Sequence, residues 1–316
     1  MGNKDNLLIY KTFKYIFKGK IIRVNFFIVN WQSPKFEKII DIWIEEDLGN
    51  GDLTHPAVTS KYGKANWIAK KEGVFCGCEI IRTILRKIDE KIELNLLIKD
   101  GEIFNQNQKL LELNGPTISL LTSERITLNI AMHLSGIATY TKSLSQKLSK
   151  SNIKLADTRK TTPGLRYFEK YAFRCGGGIN HRMGLYDAAM IKENHIAWSD
   201  DLRESVNKIR KKSPFTTHII IEAENINQAK EAILAGTDSI LLDEIDPKKL
   251  RESIQELRKL SMDNIRAKNH KRLVIEVSGI KPEEIENYLI DGIDYISTSS
   301  ATTKSNWSDF SMRYIN

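Results

Sequence analysis

Short apolar segments alternate with longer amphipathic ones through the second half of the chain. The predicted order is strand 218–224, helix 226–235, strand 238–242, helix 247–260, strand 272–277, helix 282–290 and strand 294–297. Connections of a few residues join each strand to the next helix and each helix to the next strand. This arrangement predicts parallel strands linked by right-handed crossovers. This pattern predicts an α/β barrel, complete or incomplete.

The first half has a different pattern, in which the strand-like segments are not separated by regular helices. Alternating apolar residues predict strands at 65–74, 92–98 and 109–113, with a helix at 79–88. Ser33 and Pro34 predict the cap and first turn of an earlier helix. We therefore expect an N-terminal α+β open-sandwich domain over 34–149 and the barrel domain over 150–316, with the last residues packing on the N-terminal domain. Residues 1–33 show no clear period and are an extension without an assigned role.

A long helix is predicted over 123–149, at the end of the N-terminal domain. Thr122 or Ser123 is the expected cap, which puts Arg125 in the first turn. A cation in the first turn opposes the helix dipole, so Arg125 indicates an anionic partner outside the helix. An exposed arginine paired with Glu124 is the alternative interpretation.

Composition excludes several classes of protein. The 316 residues carry a net charge of +8, but the excess lies in 1–20, 208–212 and 268–272 without a nucleic-acid-binding motif, so we expect no nucleic acid partner. No apolar run approaches the roughly 20 residues that span a bilayer, so we expect no membrane span. Three cysteines, Cys76, Cys78 and Cys175, form no disulfide framework and are expected to be small buried thiols in the reducing cytoplasm.

The central segment, residues 156–196, crowds cations around three consecutive glycines at 176–178. Apolar runs at 153–156 and 187–191 predict two more strands. The cations Arg159, Lys160, His181, Arg182 and Lys192 lie after or between these strands, whereas Arg166, Glu169 and Lys170 are assigned to the solvent-facing side of a helix. The active sites of parallel barrels lie at the carboxyl ends of the strands, so this cluster predicts a site for an anion.

The later strands also end in polar residues. Glu222 and Glu224 end one strand and Asp243 follows the next, and these carboxylates suit Mg²⁺ or ribose hydroxyls. The remaining two strands end in Ser278-Gly279 and in Thr298-Ser299-Ser300, whose amide and hydroxyl donors suit a phosphate. The two sides of one barrel mouth would therefore bind an anion, a metal and a sugar phosphate.

These residues resemble the quinolinate phosphoribosyltransferases, also called nicotinate-nucleotide pyrophosphorylases. The literal matches are 157–166 (DTRKTTPGLR), 169–172 (EKYA), 174–182 (RCGGGINHR) and 184–196 (GLYDAAMIKENHI). Looser matches begin at 46–54 (EDLGNGDLT), include 123–139 and extend to the C-terminus, over about nine tenths of the chain.

The resemblance implies transfer of phosphoribose from phosphoribosyl pyrophosphate to quinolinate with decarboxylation, with Mg²⁺ and no organic cofactor. It assigns the quinolinate carboxylates to Arg125, Thr158, Arg159, His181 and Arg182. It assigns phosphoribosyl pyrophosphate and its metal to Lys160, Lys192, Glu222 and Asp243, and the 5'-phosphate to Ser278, Gly279, Ser299 and Ser300. It also implies a homodimer or higher homo-oligomer, because Arg125 reaches the site of another subunit.

The chain departs from the family pattern at Ile280 and at 298–301 (TSSA), where the family has Ser-Gly-Gly-like and Val-Gly-Ala-like turns. Two other interpretations stay open. Lys192 at a strand end also suits a Schiff-base aldolase with His181 as the proton carrier. A binding role without turnover, including nucleic-acid binding, is the second. Within the resemblance, a related group linked to molybdate transport shares the fold but lacks the lysines at the positions of Lys160 and Lys192, and both are present here.

Overall fold

The computed structural model describes residues 12–17, 20–25, 31, 33–198, 201–268 and 272–315. The strands are β1 (Thr12–Phe17), β2 (Lys20–Asn25), β3 (Tyr62–Ala69), β4 (Gly73–Val74), β5 (Glu93–Leu96), β6 (Ile103–Phe104), β7 (Lys109–Pro116), β8 (Lys154–Ala156), β9 (Ala189–Ile191), β10 (Ile219–Ala223), β11 (Ser239–Asp243), β12 (Val274–Ser278), β13 (Tyr295–Ser297) and β14 (Phe310–Ile315). The helices are α1 (Pro34–Leu48), α2 (Cys78–Ile88), α3 (Thr117–Lys147), α4 (Arg166–Cys175), α5 (Glu193–Ala197), α6 (Leu202–Lys212), α7 (Ile226–Ala235), α8 (Pro247–Lys268) and α9 (Ser300–Thr303). Much of the predicted extension, residues 1–33, lies outside the described residues.

Six strands of the second half form one parallel sheet in the order β9-β10-β11-β12-β13-β8. Ile179 adds a single parallel bridge to Ala156 at the β8 edge. Within the described residues the two outer strands, β8 and β9, do not pair with each other. The predicted barrel is therefore confirmed in its incomplete form, with a seam between these strands.

The two faces of the barrel strands have different environments. Ile219, Ile221 and Ala223 of β10 belong to the large core between the strands and the surrounding helices. Ile220, between them, faces the lumen and forms a small apolar cluster with Leu241 and Ala188. Successive side chains of a strand alternate in direction, so Glu222 shares the lumen side with Ile220.

The N-terminal domain is built on a four-stranded antiparallel sheet in the order β14-β3-β7-β5. Its core surrounds Trp67 and Phe75, both fully buried, and includes buried residues of α2 and α3. The last strand of the chain, β14, pairs with β3 from Phe310 opposite Ala69 to Ile315 opposite Lys64. This arrangement confirms the predicted α+β domain.

The long helix α3 begins earlier than predicted. Its N-cap is Pro116, so Arg125 lies more than two turns inside the helix. Ser123 is buried and its hydroxyl donates to the Leu120 carbonyl instead of capping the helix. The dipole argument for Arg125 is therefore wrong, because the apolar Ile118 and Leu120 extend the helical pattern toward Pro116.

Other boundaries also differ from the sequence expectation. The predicted strand 65–74 is two strands, β3 and β4, which belong to different sheets. The predicted helix 282–290 is only the 3₁₀ turn Ile285–Tyr288, which buries both of its end residues at the i, i+3 spacing of such a turn. Helix α8 continues to Lys268, so part of the loop expected at 263–272 is helical.

Two smaller expectations concern the cap of α1 and the state of the cysteines. Ser33 is the N-cap of α1, as predicted, but its side chain makes no capping hydrogen bond. The three cysteines are buried and free, as predicted. No described helix combines the length and apolar character needed to cross a bilayer.

Candidate active site

The carboxyl ends of β9 to β12 meet at one edge of the barrel, which we call the mouth. Lys192 follows β9, Glu222 lies near the end of β10, and Asp243 and Ser278 end β11 and β12. Asp243 pairs directly with Ser278, and Glu222 lies opposite Leu241, two residues before Asp243. The parallel register thus brings these four predicted site residues together.

The centre of the mouth is an ion pair of Lys192 and Glu222. Lys192 Nζ donates to Glu222 Oε2 at 2.5 Å, and the Glu222 side chain is only 10% exposed. Burial raises the pKa of Glu222 above its ordinary value, the Lys192 ammonium opposes this shift, and the nearby carboxylates of Glu193 and Asp243 add to it. A further cation would relieve this crowding of carboxylates.

Glu224 does not belong to the mouth, although it was expected on the same strand face as Glu222. Strand β10 ends at Ala223, and Glu224 is exposed with its amide donating to Gln228 Oε1. Alternation of side chains stops where the strand stops. Within the described residues there is no group of three or more His, Cys, Asp or Glu side chains arranged to hold a metal.

Arg182 feels the charges of both Arg159 and Glu222, so two guanidinium groups belong to the surroundings of the ion pair. Arg182 is buried and its Nη1 donates to the Ala188 carbonyl at 2.9 Å. Burial lowers the pKa of Arg182, and the adjacent Arg159 lowers it further. Arg159 is half-buried, and its Nε has no hydrogen-bond partner among the described residues. Two close cations with an unused donor form a site for a carboxylate or phosphate.

His181 precedes Arg182 but turns its ring toward the lumen. Its Nδ1 accepts the Arg182 amide at 2.7 Å, and its Nε2 lies 3.2 Å from Glu276 Oε2. The side chain of His181 is 14% exposed. The ring is therefore engaged on both nitrogens in this arrangement.

The backbone of His181 is fixed by a buried ion pair between Asp157 and Lys170. Asp157 accepts from Lys170 Nζ, from the His181 amide at 2.8 Å and from Asn180 Nδ2 at 2.6 Å, and Lys170 Nζ also donates to the His181 carbonyl at 3.0 Å. Burial raises the pKa of Asp157 while the ammonium opposes the shift. A pair with this many hydrogen bonds satisfies both buried charges.

The prediction that Arg166, Glu169 and Lys170 form a solvent-facing side of α4 is therefore wrong. Glu169 and Lys170 are buried. Arg166 is half-buried and donates to Thr161 Oγ1 at 3.0 Å and to the Arg159 and Met183 carbonyls. Tertiary partners on both sides of α4 explain why charged residues occupy its buried face.

The turn after β8 is held by a second buried carboxylate. Glu169 Oε2 accepts the Thr162 amide at 2.9 Å, and Glu169 Oε1 lies 2.9 Å from His133 Nε2. His133 belongs to α3, so this contact joins the long helix to the turn that carries Arg159 and Lys160. Lys160 itself is exposed, its amide donates to Thr158 Oγ1, and its carbonyl accepts from Thr302 Oγ1.

The expected phosphate positions lie on tight turns. Gly279 has φ +75°, and the preceding Ser278 carbonyl accepts the amide of Glu244, which has φ +53°. Ser299 is half-buried at the start of α9. Ser300 is buried and its hydroxyl pairs with Thr298 Oγ1 at 2.7 Å, so it is already engaged within the turn.

Arg125 is the predicted site residue that no described hydrogen bond or ion pair joins to the others. It is exposed on α3, and none of the contacts described above involves it. One turn later, Asn129 lines a cavity of about 650 Å³ together with His133, Glu46 and Trp307. The same cavity is lined by Thr162 and Pro163, which follow Arg159 and Lys160 in the turn after β8.

A second cavity, of about 480 Å³, lies in the barrel lumen next to the seam. It is lined by His181, Arg182, Asn180, Lys170, His218, Ser239, Glu276 and Tyr295, among others. Sequence reasoning missed Glu276 and the roles of Asp157 and Lys170. A charged residue inside the apolar strand VIEVS was an available signal for Glu276, whereas nothing in the sequence paired Asp157 with Lys170.

The chain is similar to known protein families and structures. The family description "Quinolinate phosphoribosyl transferase, N-terminal domain" matches residues 52–135, and the corresponding C-terminal domain matches residues 137–313, so the two matches meet inside α3. The Bacillus subtilis (strain 168) protein named "Probable nicotinate-nucleotide pyrophosphorylase (carboxylating)" is 38% identical over 88% of this chain and 93% of its own length. The Dictyostelium discoideum nicotinate-nucleotide pyrophosphorylase (carboxylating) is 34% identical over 85% of this chain and 93% of its own length.

The fold is shared as well. The structure of the nicotinate-nucleotide pyrophosphorylase from Francisella tularensis superposes with a TM-score of 0.81 at 32% identity, over 90% of this chain and 98% of that chain. With both domains matched and relatives this similar over most of their length, the chain belongs to the quinolinate phosphoribosyltransferase family.

Proposed function

We propose that this protein transfers the phosphoribosyl group of phosphoribosyl pyrophosphate to quinolinate and releases pyrophosphate and carbon dioxide, giving nicotinate mononucleotide for NAD biosynthesis. The observation that supports this most is the mouth itself. An anion site formed by Arg159 and Arg182 lies beside the Lys192–Glu222 ion pair and Asp243. One substrate is a dicarboxylate and the other a polyphosphate with ribose hydroxyls, and this arrangement offers partners to both.

We assign the quinolinate carboxylates to the guanidinium pair and its neighbours. The unused Nε of Arg159 and the buried Arg182 supply the forked donors that a carboxylate needs. We add His181, which lines the lumen cavity together with Arg182, Thr158, which directly precedes Arg159 in the chain, and Arg125 of a second copy. The predicted homodimer or higher homo-oligomer is part of this proposal, because Arg125 is exposed on α3.

We assign phosphoribosyl pyrophosphate to the other side of the mouth. Lys160 and Lys192 face the pyrophosphate, and Ser278, Gly279, Ser299 and Ser300 take the 5'-phosphate. At Ser300 this assignment uses the backbone, because the Ser300 hydroxyl already pairs with Thr298 Oγ1. Glu222 and Asp243 take the ribose hydroxyls and the metal.

The residues present fit Mg²⁺. This ion is usually held by one or two carboxylates together with waters and substrate phosphates, without a protein cage. Glu222 and Asp243 provide that donor set, and the neighbouring carboxylates raise the pKa of Glu222 in a way that a cation would relieve. When bound, Mg²⁺ neutralises negative charge on the leaving pyrophosphate.

The reaction needs position and electrostatics and does not need a covalent nucleophile. The ring nitrogen of quinolinate forms a bond to ribose C1 while the bond from C1 to pyrophosphate breaks with its electron pair. The ring nitrogen is then cationic and stabilises the electron pair that stays on the adjacent ring carbon when its carboxylate leaves as carbon dioxide. A proton then replaces the carboxylate on that carbon.

The Schiff-base alternative is less compatible with the mouth. Schiff-base lysines are activated in apolar pockets or by another cation. Lys192 instead donates to the Glu222 carboxylate at 2.5 Å. We also propose a cytoplasmic location, for which the free and buried cysteines are the supporting observation.

The decisive experiment measures carbon dioxide release from quinolinate in the presence and absence of phosphoribosyl pyrophosphate. The wild-type protein is expected to require both substrates. Arg159→Ala and Lys192→Ala are expected to lower turnover by about a hundredfold or more, since each removes a charged partner of a substrate. Lys212→Ala, an exposed cation on α6, is the matched control and should behave as wild type. Wild-type turnover in either mouth variant would refute the role of that residue.

A further inference from the structure

Glu276 is a charged residue in the middle of β12. It is 4% exposed, and its neighbours Ile275 and Val277 are fully buried in the core on the opposite face of the strand. The strand alternation points Glu276 into the lumen, on the same side as Ser278 but one layer below the mouth. None of the substrate contacts proposed above uses it.

The surroundings of Glu276 leave it only partly satisfied. Oε2 lies 3.2 Å from His181 Nε2, and Oε1 has no hydrogen-bond partner among the described residues. The cavity beside it holds other charged or titratable groups, namely Lys170, Arg174, Arg182, Asp187 and His218. A buried carboxylate with one partner costs folding free energy, and an apolar side chain would suit a purely structural position better.

The hydrogen bonds of His181 define the state of its ring. The Arg182 amide donates to Nδ1 at 2.7 Å, so Nδ1 carries no proton. The ring proton of neutral His181 then lies on Nε2 and is donated to Glu276. Asp157 and Lys170 fix the backbone of His181, and the two ring contacts orient the imidazole on that backbone.

We propose that Glu276 is a positioning residue for quinolinate binding, which holds His181 as the Nε2-protonated tautomer with its ring edge at the floor of the anion site. This inference rests on the proposed function for the identity of the anion. Glu276 and His181 both line the adjacent cavity of about 480 Å³, and Glu276 Oε1 has no hydrogen-bond partner among the described residues.

The arrangement has a consequence for binding. The only N–H that His181 can offer a carboxylate is the one that Glu276 orients, so the substrate must share that donor or displace Glu276 from it. Without the acceptor at position 276 the ring can rotate and both tautomers become accessible. The substrate then has to order the ring when it binds, and its apparent affinity falls.

The experiment compares Glu276→Gln and Glu276→Ala with Tyr295→Phe, a variant in the lining of the same cavity, opposite Glu276 in the sheet, that retains the acceptor for His181. The carboxamide oxygen of glutamine can still accept from Nε2, so Glu276→Gln should keep the KM for quinolinate within about threefold of wild type. Glu276→Ala should raise that KM about tenfold, with the KM for phosphoribosyl pyrophosphate unchanged. Glu276→Leu fills the space without an acceptor and replaces the alanine variant if that protein does not fold.

The second readout is the ¹⁵N spectrum of the imidazoles, which is tractable because the chain has only 6 histidines. His181 is assigned by the loss of its signals in His181→Gln. Wild type, Glu276→Gln and Tyr295→Phe should show the Nε2-protonated tautomer, and Glu276→Ala should show a mixture.

The two readouts separate the possible outcomes. An unchanged tautomer in Glu276→Ala, or an altered tautomer with a wild-type KM for quinolinate, would overturn the proposal. The spectrum requires no turnover, so it tests the orientation of His181 even if quinolinate is not the substrate. A protein without quinolinate-dependent turnover would refute the proposed function itself.

Discussion

Glu222 and Lys192 illustrate how two residues thirty positions apart become one functional unit. Each was identified in the sequence by its place after an apolar strand, and the structure joins them at 2.5 Å. Although Glu222 is paired with Lys192, its pKa differs from that of an ordinary exposed carboxylate. Burial and two neighbouring carboxylates outweigh the ammonium and raise its pKa.

A titration of Glu222 tests this electrostatic balance. Its pKa, measured by ¹³C NMR of the side-chain carboxyl group, should lie above the ordinary value of 4.5 in the wild type. Lys192→Met should raise that pKa further, because it removes both the hydrogen bond and the positive charge that favour the ionised form. Lys160→Met is the control and should leave the pKa of Glu222 near its wild-type value.

The direction of the Glu222 pKa shift determines how its contribution to protein stability changes with pH. Folding favours the protonated form of Glu222, so its contribution to stability is present below the unfolded pKa and is lost as the pH rises through the folded pKa. A wild-type pKa below 4.5 would show that Lys192 dominates the pair and would contradict this account.

The turns after the barrel strands are the elements that shape the phosphate side of the mouth. Gly279 follows β12 with φ +75°, a backbone conformation that L residues rarely adopt. A Cβ at this position would lie 2.4 Å from Glu244 Cγ and 3.0 Å from the Glu244 amide nitrogen. The two strand-end turns therefore approach each other too closely for any side chain at position 279.

Gly279→Ala should accordingly destabilise the protein by about 1–2 kcal/mol, since it adds left-handed strain and a steric contact. It should also raise the KM for phosphoribosyl pyrophosphate by about tenfold, because the turn must move away from the phosphate position. The measurements are urea unfolding and steady-state kinetics.

Gly236→Ala is the matched control for this substitution. Gly236 ends α7 with φ +90°, and a Cβ there would meet nothing within 4 Å. The control should lose about 1 kcal/mol of stability with unchanged kinetics. Equal kinetic effects in the two variants would show that the close approach of Gly279 to Glu244 is irrelevant to substrate binding.

Elements with a strong local pattern were predicted well, and elements that depend on their neighbours were not. Helix α7 has the predicted bounds, because Asn225 caps its start and Gly236 ends it in the left-handed conformation. The start of α3 was placed six residues late at Ser123, where a serine that looks like a cap is instead buried inside the helix. A cap is recognised by its backbone conformation, which the sequence does not contain.

At the scale of the whole molecule, Arg125 and the proposed anion site come from different domains. Arg125 lies exposed on α3 in the N-terminal domain, while the anion site lies in the barrel domain. The proposed role of Arg125 therefore requires a second copy of the chain, arranged so that each copy supplies the other's site.

Mixing two inactive variants tests this arrangement. Arg125→Ala and Lys160→Ala dimers, dissociated and reassociated together, form mixed dimers in which one site carries both changes and the other carries neither. Random mixing should restore roughly a quarter of the wild-type activity, because half of the dimers are mixed and each has one intact site. Quinolinate-dependent turnover of the mixture is the measurement.

The control mixture combines Arg159→Ala with Lys160→Ala. Both residues belong to the same site of the same chain, so every site in a mixed dimer carries one change and no rescue is expected. Mixed dimers are demonstrated by capture through a tag on one variant. If such dimers of Arg125→Ala and Lys160→Ala form and remain inactive, the shared site is refuted.

The sequence by itself determined the family, the parallel barrel with its α+β domain, and most of the strand-end residues at the mouth, whereas the open seam of the barrel came from the structure. These follow from local hydrophobic periodicity and from literal motifs, which are properties of neighbouring residues. Only the tertiary structure decided that Glu169 and Lys170 are buried, that Asp157 binds Lys170, and that Glu276 contacts His181. A charged residue in an amphipathic helix has the same local pattern whether it faces water or a buried partner, and the partner here comes from a distant part of the chain. Burial of a charge is thus a property of the assembled fold, which no window of sequence contains.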